Sequence, residues 1–204
     1  MSEPVLAAAP AAPAAARQGE LLVRLARFSL VATLAPQLEP KEPACTTAEA
    51  GWLGLPGATF VTLMQHGRLR GCIGTLHAHR PLREDVTRNA RAAALEDPRF
   101  RPLVAAELDL TEVEVSLLAP PQPVEPGSEE EVLARLRPGE DGVLLEFEHH
   151  RGTFLPQVWD TFPEPREFLR RLRQKAGLPA DFWHPSLRLS RYSVSKWRER
   201  DGLA

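Results

Sequence analysis

The sequence predicts an α+β fold built mainly on antiparallel sheet, with flanking helices and a larger and a smaller lobe with a cleft between them. Three observations carry this. Residues rich in β-formers come as hairpin pairs, 59–65 with 68–73 and 143–148 with 153–158. Segments of helical period lie between the hairpins rather than after every strand, which argues against a doubly wound parallel sheet. Pro120, Pro121, Pro123 and Pro126 form a linker-like seam, and strands beyond it can still pair with strands before it.

Each element follows in order. Residues 1–18 read as a disordered alanine- and proline-rich tail. Pro10 and Pro13 interrupt its apolar run, and it lacks the basic start and leucine-rich centre of a secretory leader. Order begins near Gly19, where Leu21, Leu22, Leu25, Phe28 and Ala32 keep helical spacing until Pro36. Pro36, Pro40 and Pro43 make an extended loop, and residues 51–57 a turn-rich entry to the first strand. His66-Gly67 is a tight turn in which glycine supplies positive φ. Pro81 suits the first turn of a helix with Leu82, Val86, Ala90 and Ala93 buried, ending before Asp97-Pro98.

Beyond it, Val113, Val115 and Leu117 alternate with Glu112, Glu114 and Ser116, the pattern of a half-buried strand. Ser128 with Glu131 is a capping box, and His149-His150-Arg151-Gly152 is a hairpin tip. Residues 165–176 form an amphipathic helix with Phe168, Leu169 and Leu172 inward and Gly177 as its left-handed stop. Residues 187–194 give a final strand.

Composition excludes several classes of function. The 204 residues carry a net charge of −2 with 25% charged and 43% hydrophobic residues, so no global field draws the chain to nucleic acid or anionic lipid. Two cysteines, Cys45 and Cys72, make no disulfide framework and suit a reducing compartment. No run of about 18 apolar residues is present, so no membrane helix is expected, and the cytoplasm is the expected location. Neither a P-loop nor a GxGxxG fingerprint occurs, and no cofactor or metal is expected.

Residues 69–74, Leu-Arg-Gly-Cys-Ile-Gly, are the candidate site. Cys72 is a candidate nucleophile, with Arg68, Arg70, Arg80 and Arg83 near it in sequence to favour its thiolate. His66 and His77 are candidate bases. Arg70 and Arg99 have the guanidinium fork that grips carboxylate or phosphate, and Gly71 and Gly74 let backbone N–H groups approach an anion. Leu69 and Ile73 complete the ligand-binding stretch. The structural alternatives are a Cys72 that packs as a small hydrophobe and an Arg99 that pairs with Asp97. His77-x-His79 supplies only two metal ligands, with Glu84, Asp85 and His149 as guesses for a third. Residues 66–101 hold eight arginines against four acids, which suits an anionic ligand or RNA, but Phe100 is the one aromatic residue there, against base stacking. Residues 163–176, with Trp159, Trp183 and Trp197, are candidates for a partner surface.

Residues 69–74 resemble the LRGCIG signature of the AMMECR-domain family, whose bacterial members are called AmmeMemoRadiSam system protein A. Asp97-Pro98-Arg99-Phe100, Val115-Ser116-Leu117-Leu118, Leu155-Pro156-Gln157-Val158 and Lys175-Ala176-Gly177-Leu178 match further family blocks in order. They place an AMMECR domain of two lobes over residues 19–204. The tail has no counterpart in the pattern, and residues 36–52 are less family-like. The resemblance implies a larger antiparallel-sheet lobe and a smaller one, and association with a Memo-like protein, related to extradiol dioxygenases, and a radical-SAM enzyme. The expected function is an accessory, partner-binding component with the LRGCIG segment lining the functional cleft. The alternatives are a small enzyme using Cys72 on an anionic substrate, with Arg70 holding it and His77 or His66 as base, and an RNA-binding module.

Overall fold

The computed structural model describes residues 14–201. In chain order the elements are α1 (Ala14–Leu34), α2 (Thr47–Gly54), β1 (Pro56–Gly57), β2 (Thr59–Gln65), β3 (Arg68–Gly74), β4 (Arg80–Pro81), α3 (Leu82–Leu95), β5 (Thr111–Leu118), β6 (Gln122–Pro123), α4 (Glu129–Arg135), β7 (Gly142–Phe147), β8 (His150–Phe154), α5 (Pro165–Lys175), β9 (Arg188–Tyr192) and β10 (Val194–Arg198). Over the described residues the chain divides into two compact units, residues 14–118 with 195–201 and residues 119–194. The division falls at the proline-rich seam.

The larger unit holds a four-stranded sheet in the order β10-β5-β2-β3, with β1 and β4 as a separate two-stranded ribbon. β2 pairs antiparallel with both β3 and β5. α1 and α3 pack together, and α3 lies on β2 and β3. Leu22, Leu25 and Leu30 of α1, Val86 and Ala90 of α3, and Val61, Leu63, Val113 and Val115 of the strands are wholly buried in one cluster. Each large aliphatic side chain so buried contributes about 2 kcal/mol. Leu22, Leu25, Val86, Ala90, Val113 and Val115 are among the residues whose spacing marked these elements, whereas Phe28 and Ala32 of the expected α1 stripe are only half-buried.

Four features differ from the expectation. α1 starts at Ala14, not near Gly19, because Ala14, Ala15 and Ala16 are the best helix formers and extend it backwards; residues 1–13 of the expected tail lie outside the described residues. α2 replaces part of the expected loop, closed by a capping box in which Thr46 accepts from the Glu49 N–H and Glu49 accepts from the Thr46 N–H at 2.7 Å. β5 is buried on both faces, because the Glu114 carboxylate takes Lys196 at 3.0 Å and Arg198 at 2.7 Å from β10. β10 itself was not foreseen: the chain crosses the seam again after β9 and returns to the first sheet, as strands beyond the seam were free to do.

The smaller unit is a sheet ordered β6-β9-β7-β8 with α5 packed beside it. Phe168, Leu169 and Leu172 are fully buried, and the Trp159 ring stacks on Phe168 at 3.7 Å between centroids. The Trp159 indole N–H donates to the Asp141 carbonyl at 2.7 Å, satisfying the one polar atom of a buried tryptophan. Gly177 ends α5 at φ +79°, as its position predicted. The β7–β8 turn is tighter and earlier than expected: Glu148 (φ 51°) and His149 turn the chain, β8 starts at His150 rather than Thr153, and it stops at Phe154, where Pro156 starts a 3-10 turn.

Candidate functional site

The LRGCIG segment is β3, an edge strand. His66 (φ 50°) and Gly67 (φ 74°) form the tight turn that returns the chain from β2. Along the hairpin Thr62 faces Cys72, Leu63 faces Gly71 and Met64 faces Leu69, so Arg70 is the unpaired residue of a β-bulge. A bulge re-aims the side chain it carries. Here it turns Arg70 towards the 3-10 turn Ala105–Leu110. Arg70 Nε and Nη2 donate to the two Glu107 carboxylate oxygens at 3.2 Å each, and Nη1 donates to the Arg101 carbonyl at 2.9 Å. Arg70 is only 9% exposed, and its guanidinium holds the Glu107 carboxyl below the usual carboxylate range. The fork that was expected to grip a ligand is occupied by the protein itself.

The two glycines of the segment make room. A Cβ on Gly71 would meet the Ala93 carbonyl oxygen at 2.1 Å, so its absence lets α3 lie against the strand. A Cβ on Gly74 would meet the Phe60 ring, its cross-strand partner, at 2.2 Å. Ile73 packs on the large core and Leu69 is partly exposed.

Cys72 is half-buried, and the Thr62 hydroxyl donates to its sulfur at 3.4 Å. Its backbone is held from the open edge of the sheet. The Cys72 N–H donates to Asp97 Oδ2 at 2.8 Å, and Arg99 Nη2 donates to the Cys72 carbonyl at 3.3 Å. Asp97 and Arg99 are themselves joined, Arg99 Nε and Nη2 donating to the carboxylate at 2.9 and 2.7 Å and the Arg99 N–H at 3.1 Å. Asp97 is 5% exposed. Arg99's hydrogen bonds, foremost, then the N–H of Cys72, hold its carboxyl far below the usual range and outweigh its burial, and Asp97 raises Arg99 in turn. The Asp-x-Arg block and the LRGCIG block therefore meet as one latch on a strand edge. Edge strands left open invite pairing with other chains.

The candidate bases fall in two places. Four residues of strand, about 13 Å, separate Cys72 from Arg68, and His66 lies beyond it at the exposed turn, so His66 is outside hydrogen-bond reach of the sulfur. His77 is half-buried in the bend between β3 and β4, its carbonyl 2.8 Å from His79 Nδ1. Among the described residues no group of three His, Cys, Asp or Glu side chains is placed to hold a metal. Six of the eight arginines of residues 66–101 are ion-paired: Arg70 and Arg101 with Glu107, Arg80 with Asp85, Arg83 with Glu42, Arg88 with Glu84 and Arg99 with Asp97.

Sequence reasoning offered Asp85 only as a guess for a metal ligand and missed the hydrogen-bonded group it centres. Asp85, wholly buried in the first turn of α3, accepts from the Thr59 N–H and hydroxyl at 2.8 Å each, from Asn89 Nδ2 at 3.0 Å and from Arg80 Nε at 2.9 Å. Asn89 also donates to the Thr59 carbonyl at 3.0 Å. This ties α3 to the start of β2 beside the exit of the LRGCIG strand. The signal was present: helical spacing from Leu82 and Val86 puts Asp85 and Asn89 on the buried stripe, where polar side chains must find partners.

A family model described as AMMECR1 matches residues 23–197. The chain belongs to the AMMECR1 family. A protein of Thermofilum pendens is 38% identical over 192 residues, covering 88% of each chain. One of Methanothermobacter thermautotrophicus is 42% identical over 146 residues, 69% of this chain and 74% of that protein. The fold is similar to the crystal structure of the uncharacterized protein PH0010 from Pyrococcus horikoshii, with a TM-score of 0.73 and 33% identity over 90% of this chain and 92% of that one. The AMMECR1 match takes in the whole latch, from Arg70 to Glu107. No helix among the described residues is long and apolar enough to cross a membrane.

Proposed function

We propose that this AMMECR1 protein is an accessory, partner-binding component that acts with a Memo-like protein and a radical-SAM enzyme and carries out no chemistry alone. The observation that supports it is the latch. Arg70, Asp97 and Arg99, the charged groups of the two leading sequence blocks, are spent on Glu107, on each other and on the backbone of Cys72. Gly71 and Gly74 are spent on Ala93 and Phe60. A segment whose polar groups bind its own fold is built to present a fixed surface. The test is co-elution of the three purified proteins in size-exclusion chromatography. A ternary or binary complex that survives Cys72→Ala is expected. Substrate turnover by the purified chain alone, abolished by Cys72→Ala, would overturn the reading.

Two observations favour the second reading, Cys72 as nucleophile: the Thr62 hydroxyl donates to the sulfur, and Arg99 donates to the same residue's carbonyl. Both would steady a thiolate attacking an anionic acyl or phosphoryl centre. This reading requires a base, and His77 is the candidate within the same stretch of chain. His77→Gln would then abolish turnover of acyl and phosphoryl ester substrates while leaving the fold intact.

A further inference from the structure

We propose that the groove beside α1 in the larger unit takes an extended, apolar peptide segment of a partner protein, anchored by an acidic side chain; the proposal rests on the partner-binding reading above. The groove encloses about 970 Å³. Val23, Phe28 and Val31 of α1 form its apolar floor, Pro40 and Pro43 one wall, and Trp197 of β10 another.

The groove is held open before anything binds. Pro36, Pro40 and Pro43 stiffen the chain that forms the wall. Its far end is tied down: Arg83 of α3 pairs with Glu42 and donates to Cys45 Sγ at 3.3 Å, and Glu49 of the α2 cap pairs with Arg17 of α1 at 2.8 Å. The opposite wall depends on Gly19. A Cβ there would meet the Trp197 ring at 2.2 Å, so a glycine inside a helix, disfavoured by about 1 kcal/mol, lets the indole lie on α1. A preformed groove saves the ordering cost of binding.

Its dimensions and charges select the occupant. From Arg17 to Val31 the helix rises about 21 Å, the length of about six extended residues. Proline and aromatic walls suit an extended, polyproline-like chain. Arg27 is consumed by Glu199 and the Leu108 and Thr111 carbonyls. Of the acids that line the groove, Glu42 is paired with Arg83 and Glu199 with Arg27, which leaves Glu20; among the described residues Arg24 and Lys41 line it from α1 and from the wall without a carboxylate partner, an excess of one positive charge. Two such cations in a part-apolar groove complement an acidic residue on the incoming chain.

The experiment is selection of a phage-displayed library of random dodecamer peptides on the full-length chain, with the selected peptides then synthesised and measured by fluorescence anisotropy. Enriched peptides that are apolar with one or two acids, and that bind Arg24→Glu/Lys41→Glu at least tenfold more weakly, are expected. Both substitutions lie on exposed residues, and an unchanged circular dichroism spectrum shows that the variant is folded. A second variant, Val31→Arg, places a charge on the floor and is expected to abolish binding. Selection of peptides that bind wild type and both variants equally overturns the proposal, as does no enrichment. A consensus reproducing the chain's own residues 1–13 also overturns it, because the occupant is then internal. The two readings fail separately: a protein complex that forms and ignores all three substitutions removes the groove and keeps the partner-binding function, whereas peptides that bind while no complex forms do the reverse.

Discussion

Gly71 is a glycine because α3 occupies the space of its side chain. Its missing Cβ would stand 2.1 Å from the Ala93 carbonyl, a backbone atom with no rotamer to escape through, whereas at Gly74 the obstacle is the half-buried Phe60 ring. Gly71→Ala should therefore destabilise by about 2–3 kcal/mol and Gly74→Ala by about 1 kcal/mol, read as shifts in the urea midpoint. Equal effects would mean that α3 moves as readily as a ring. Asp97 bears on pH. Its folded carboxyl titrates below the ordinary aspartate value of 3.8, so it stabilises the fold fully above about pH 4 and loses that contribution as pH falls towards the folded value. Asp97→Asn should cost about 1–3 kcal/mol at pH 7. It should also flatten the fall of stability between about pH 4 and 2. An unaltered slope would show that Asp97 does not titrate differently in the folded protein. Arg70 was legible as a special residue but not as a structural one. Nothing in Leu-Arg-Gly-Cys signals a bulge, and only the register against Leu63 and Met64 shows that its side chain is turned to Glu107.

At the scale of elements, the latch explains how β3 can end a sheet safely. Its Cys72 N–H and carbonyl, which would otherwise offer a template to another strand, are filled by Asp97 and Arg99. The smaller unit solves the same problem with Lys175, whose ammonium donates to the Thr153 carbonyl of edge strand β8 at 2.9 Å while burial lowers its pKa. The double variant Asp97→Ala/Arg99→Ala should aggregate faster than wild type on mild heating, with light scattering as the readout; equal rates would show that the edge needs no cover. Most elements were legible because their apolar residues kept a period: α3, β2, β5 and α5 were read within a few residues. β10 was not, because Val194 to Arg198 alternates charge with Trp197 and owes its place to Glu114, whose partner Arg198 is 84 residues away in sequence and invisible to any local pattern. The α2 capping box, Thr46 with Glu49, was visible in the sequence but lay among prolines that suggested a loop.

For the whole molecule, the seam was legible and the return across it was not. Prolines at 120–126 mark the passage to residues 119–194, but the chain comes back to the first sheet only because β5 has an open edge and a buried carboxylate to fill. The sequence singled out the motif residues, and the structure adds the contacts they make. Arginine, cysteine and glycine in six residues read as chemistry, and the structure spends most of them on packing. On the partner-binding proposal, Cys72 is a residue of the latch and not a working thiol. The most direct measurement is its rate of alkylation by iodoacetamide at pH 7.5 in the full-length Cys45→Ser chain, folded and in denaturant. A half-buried sulfur holding the Thr62 hydroxyl should react at least about tenfold more slowly folded than unfolded. Faster alkylation of the folded chain would contradict the account and mark Cys72 as an activated, accessible thiolate.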